Sequence, residues 1–126
     1  MARIGAEGCY FLSIVHAAEV ITGNRIDAVE VYENFVRYGY MGGDCYINSP
    51  DKIFSALTGR RCSVSKESDD YVPVGEEVKI LRYEWGELTH FVYCGQSVDI
   101  TYDPYGDSQT VQNGKPVSSR VFRFVP

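Results

Sequence analysis

Histidine is scarce in this chain, which has two in 126 residues, and none of its four cysteines forms a Cys-x-x-Cys pair. A Cys/His zinc site of ordinary ligand spacing therefore has little to build from. No apolar run approaches the roughly 20 residues that cross a bilayer, so no membrane partner is expected. Residues 1–8 hold neither a secretory apolar segment nor a basic amphipathic helix, which makes a cytoplasmic location the default expectation. Positive charge is sparse too. Twelve basic side chains stand against seventeen acidic ones, for a net charge of −5, and only Arg60 and Arg61 adjoin. Nucleic-acid backbones demand concentrated positive charge, so no nucleic-acid partner is expected. Gly39-Tyr40-Met41-Gly42-Gly43 lacks the Lys-Ser/Thr that would complete a phosphate loop. What the chain does have is apolar mass. Forty-four per cent of it is hydrophobic, with ten tyrosines and six phenylalanines. That supports a real core in one domain over residues 1–126, large enough to need no disulfide staples.

The first half is periodic as helix. Phe11, Leu12, Ile14, Val15, Ala18 and Ile21 share a wide face over residues 10–21, and Gly23 is the natural stop. Asp27-Ala28-Val29-Glu30 has capping-box spacing and opens a second helix to about Tyr38. Ser49-Pro50-Asp51 sets a cap, a first-turn proline and an early acid before a short third helix ending at Gly59. The second half changes period. Residues 62–64 read as a short strand, 66–70 as a polar loop, and 77–83, 89–94, 98–103 and 120–125 as strands separated by turns. Helices followed by an antiparallel meander predict an α+β domain with the helices on one side of the sheet.

Cys9 draws attention because it stands on the first turn of the first helix, where unpaired N–H groups and the positive dipole end favour a thiolate. Helix-end stabilisation is at most about 2 kcal/mol, so a reactive thiol also needs an imidazolium partner. His16 lies about 10 Å along the same helix at 1.5 Å rise per residue, too far for proton transfer. His90 is the better base. Asp99, Asp103 and Asp107 compete to orient it, and Asp103 is preferred because Pro104 holds it extended. Cys45, in a loop that would border a cleft, and Cys94 are read as structural. Trp85 is either an exposed turn aromatic or a cover over the site.

The ordered set Gly8-Cys9, His90-Phe91-Val92 and Asp103-Pro104-Tyr105-Gly106 resembles the papain-like superfamily, most closely the small bacterial C39-like peptidases of the bacteriocin-processing type. The resemblance spans essentially the whole chain. It implies a papain-like fold and a Cys9–His90–Asp103 triad that cleaves a peptide or related amide bond through a thioester. It also implies a peptide or protein substrate, and no metal or organic cofactor. The backbone N–H of Cys9 is one candidate oxyanion donor, and Arg3, which stands where that family carries a donating glutamine, is the other candidate. The missing glutamine and the tyrosine load frame the alternative, a catalytically silent papain-like fold that binds a peptide or protein partner. In a third reading the chain is a small structural protein with Cys9 merely buried.

Overall fold

The computed structural model describes residues 8–106 and 108–126. Helix α1 runs Cys9–Thr22 and buries Phe11, Ser13, Ile14, Val15, Ala17 and Ala18. Its end follows from chemistry, since Gly23 takes the left-handed conformation at φ 72° and its N–H closes on the Glu19 carbonyl. Helix α2, Ala28–Arg37, starts where the Asp27 carboxylate accepts from the Val29 and Glu30 amides, and it buries only Phe35. Helix α3, Pro50–Thr58, has its proline in the first turn and Gly59 as a left-handed cap, as the spacing predicts.

Four antiparallel strands follow: β1 Cys62–Glu67, β2 Val78–Trp85, β3 Leu88–Gly95 and β4 Lys115–Phe124. Their order, β1-β4-β2-β3, is not a meander. The last strand inserts between β1 and β2 and is longer than expected. Pairing with it carries β1 through Lys66 and Glu67, which were expected in a loop, in a register from Cys62 opposite Phe124 to Glu67 opposite Ser119. The segment 98–103 is also corrected. It contributes one bridge, Tyr102 to Tyr93, and no strand. Pro104 has no N–H with which to continue a ladder. A short helix not expected from the sequence, α4 at Gln109–Asn113, precedes β4 and is capped by the Ser108 hydroxyl.

The main core lies between the helices and one sheet face, where Phe11, Ile14, Phe35, Ile53 and Phe54 meet Val78, Ile80, Tyr93 and Phe122. Leu81, Val92 and Cys94 form a smaller cluster with Ile100 and Val111 of α4. The architecture is α+β, with helices packed on a four-stranded antiparallel sheet. Among the described residues no helix is long and apolar enough to cross a membrane, and no disulfide joins the cysteines.

Candidate active site

The open edge of β3 organises the site. The amides of Phe91 and Tyr93 point away from β2, and each needs an acceptor. Tyr93 donates to the Tyr102 carbonyl at 2.9 Å. Phe91 donates to the sulfur of Cys9 at 3.4 Å. The thiol at the start of α1 thus takes the place of a neighbouring strand. Standard bond lengths between the Phe91 nitrogen and the preceding Cα put the sulfur within roughly 6 Å of the His90 Cα. The stack of Tyr10 on Phe91, with centroids 4.3 Å apart, holds the helix start against this strand.

The Tyr93–Tyr102 bridge does a second thing. Counting antiparallel from it brings Asp103 and Tyr105 alongside His90. The His90 Nε2 lies 2.6 Å from Asp103 Oδ1. The same oxygen accepts from the Tyr105 amide at 2.9 Å, and the Tyr105 ring stacks on the imidazole at 4.6 Å. His90 is 1% exposed. A carboxylate oxygen only accepts, so Nε2 is the donor, and in the neutral ring Nδ1 holds the lone pair. Among the described residues that buried Nδ1 has no hydrogen-bond partner, and no hydrogen bond joins it to Cys9.

The electrostatics of Cys9 are divided. Burial pushes its thiol above the ordinary value, three backbone amides (Phe91, Tyr10 and Cys9 itself) pull it down, and the negative charge of Asp103 adds to the rise. The amides of Cys9 and Tyr10 are among the first-turn donors that an α-helix leaves without carbonyl partners. The resting sulfur is therefore held more as a thiol than as a thiolate, inside a ring of donors suited to negative charge.

Cys9 opens onto a cleft of about 880 Å³ between the sheet and the loop-and-helix segment of residues 44–51. Tyr10, Phe91, Arg120 and Lys66 line one side, and Asp44, Cys45 and Asp51 line the other. Cys45 borders the cleft as its loop position suggests, in a left-handed backbone at φ 69°. Cys94 is core, with burial pushing its thiol up to about 11. His16 is stacked on Tyr102 at 3.9 Å and lies edge-on to Tyr93. Trp85 sits at the β2–β3 turn, opposite Leu88 and 39% exposed, and the ring over His90 is Tyr105. Asp99 is in a turn where its amide donates to Ser97 Oγ. Arg3 and Asp107 lie outside the described residues. Among the described residues no three His, Cys, Asp or Glu side chains converge as metal ligands.

Tyr105 and Arg120 were not singled out from the sequence. The only advance signal for Tyr105 was its place two residues after Asp103 in the Asp-Pro-Tyr-Gly turn. For Arg120 there was none.

Over residues 1–124 the chain matches the model of a family described as "Protein of unknown function, DUF261", and it belongs to that family. No curated protein and no solved structure matches it.

Proposed function

We propose that this protein is a cysteine hydrolase of papain-like type, with Cys9 as nucleophile, His90 as general base and acid, and Asp103 as the group that orients the imidazole. The observation that carries the reading is the buried His90–Asp103 contact at 2.6 Å, with Nδ1 unpartnered among the described residues and the Cys9 sulfur held by the amide of Phe91, the residue after His90. A helix-borne cysteine packed against an antiparallel sheet, with the histidine on an edge strand, also supports a papain-like arrangement.

The chemistry balances with these three side chains and water. The Cys9 thiol gives its proton to His90 Nδ1 as sulfur bonds to the carbonyl carbon of an amide. The Cys9 amide is the donor for the oxyanion that forms, preorganised by the helix start. Collapse breaks the C–N bond, the departing amine takes the proton from His90, and a thioester remains. Water then attacks the thioester and gives its proton to Nδ1, and that proton returns to sulfur as the acid leaves. Asp103 holds Nε2–H throughout and stabilises the imidazolium that forms in each half-reaction. A peptide or protein amide is the substrate that the family resemblance implies.

The silent binding fold remains the second reading, favoured by the raised Cys9 thiol and by the absence of a Cys9–His90 hydrogen bond. The two separate on Cys9→Ala. The hydrolase should form an acyl adduct with a panel of activated esters and amides, visible by intact mass, and the folded variant should form none. No adduct on the wild-type protein from the whole panel would overturn the hydrolase. Because Cys9 edges a cleft, its truncation should cost less than the about 2–5 kcal/mol of emptying a packed core site.

A further inference from the structure

Three arginines sit on the sheet, and two of them hold acids. Arg82 lies 2.8 Å from Glu84, and Arg123 lies 2.6 Å from Glu77. Arg120 differs. Its Nη1 donates to Ser118 Oγ at 3.0 Å and to the Ser119 carbonyl at 3.3 Å, and among the described residues no carboxylate lies within ion-pair distance of it. Its guanidinium is half-buried, 5.8 Å from the centre of the Phe91 ring, in the cleft that Cys9 lines. Lys66 faces it directly across the β1–β4 ladder and adds a second cation to the same side.

A half-buried guanidinium that lacks an anion is an unbalanced arrangement, because it loses hydration without gaining a countercharge. Burial and the neighbouring Arg82 both oppose its charge, and the one group that favours it, the Tyr10 phenol, is itself kept neutral by burial. A planar fork with free donors, walled by an aromatic face, matches a carboxylate. The acids of the cleft, Asp44 and Asp51, are on the loop-and-helix side, so they bias an anionic ligand toward the sheet side.

We propose that Arg120, with Lys66 beside it, forms an anion-recognition site in this cleft, and that the substrate of Cys9 carries a carboxylate next to the scissile bond. The anion site stands on the sheet geometry alone. Its link to a scissile bond rests on the hydrolase reading.

The test uses the Cys9 thiol as its reporter and needs no turnover. Alkylation of Cys9 by iodoacetate and by iodoacetamide is followed by peptide mass spectrometry, each rate divided by that of 2-mercaptoethanol with the same reagent. Despite the net charge of −5, the normalised iodoacetate rate should exceed the iodoacetamide rate. Arg120→Gln should cut that preference about tenfold and Arg120→Lys should largely keep it, because one local charge is removed or retained. Added salt should weaken the preference. The iodoacetamide rate of each variant checks that the thiol and fold are intact.

A normalised ratio near one in wild type, or a preference unmoved by Arg120→Gln, would overturn the anion site, whatever adducts the hydrolase test gives. Two probes then distinguish the source of the carboxylate, by protecting Cys9 from iodoacetamide. N-acetylglycylglycine presents a chain terminus, and N-acetylglutamic acid α-amide presents an acidic side chain. Protection by one of them that is lost in Arg120→Gln supports the substrate class and names its source. Protection by neither would overturn the substrate clause.

Discussion

Replacing Asp103 by Asn removes one charge while keeping a carbonyl oxygen in nearly the same place, and the consequence follows from what that oxygen touches. Oδ1 accepts from both His90 Nε2 and the Tyr105 amide. The Tyr105 amide can only donate, so in the variant it should keep the oxygen of the new carboxamide facing inward. The imidazole then retains its tautomer, with Nε2–H donating and Nδ1 available. On the proposed hydrolase mechanism, what is lost is charge assistance to the imidazolium of the transition state. Hydrogen bonds to charged groups contribute about 1.5–3 kcal/mol against about 0.5–1.5 for neutral ones, a difference of roughly 1–1.5 kcal/mol. At 1.36 kcal/mol per decade the acylation rate should fall about tenfold. The assay is the single-turnover burst of p-nitrophenolate from an activated ester, with enzyme in excess. An unchanged rate would reduce Asp103 to a turn residue and refute the orienting role. A loss of a thousandfold or more would mean the carboxamide turned over and reversed the tautomer, which would refute the anchoring by Tyr105. Asp103→Ala is the harsher control. Among the described residues it leaves both nitrogens of a buried ring unpartnered, so its stability in urea should drop by about 1–3 kcal/mol.

Other expectations follow from the same contacts. Cys94, whose thiol is held up to about 11 by burial, should resist iodoacetamide in the native protein near pH 8 while Cys9 reacts; equal labelling by peptide mass spectrometry would contradict the two environments. Burial holds His16 below its ordinary value, against a smaller raising effect of Glu19, so the unfolded chain binds its proton more readily and its stabilising share is lost as pH falls through about 6.5. The urea midpoint of wild type should therefore drop more between pH 7.5 and 5.5 than that of His16→Gln, and parallel curves would refute this. Gly114→Ala should cost about 1–3 kcal/mol by the same denaturation, because the added Cβ meets the carbonyl oxygens of Glu84 and Thr110; a neutral result would mean the α4–β4 junction gives way easily.

How far the chain can be read in advance depends on the range of the physics involved. Helix ends were legible because Gly23, Asp27, Pro50 and Gly59 act on backbone groups a few residues away. Strand alternation reports an extended, half-buried segment but not its neighbour. Residues 98–103 alternate as a strand and yet make a single bridge, while β4 runs five residues further upstream than its apolar stretch suggests because β1 and β2 both pair with it. The contact of His90 with Asp103 was legible from chain order, since a strand and one turn carry the second toward the first. Tyr105 required the register of the Tyr93–Tyr102 bridge. Arg120 required more, because its meaning comes from β4 lying between β1 and β2, with Lys66 on one flank and Ile80 on the other. Had the strands formed the meander that was expected, Arg120 would have been an edge cation free to find solvent or an acid. The inserted strand instead places it half-buried in the cleft of Cys9 with no acid in reach among the described residues. That is why Cys9, His90 and Asp103 could be singled out from the sequence and Arg120 could not.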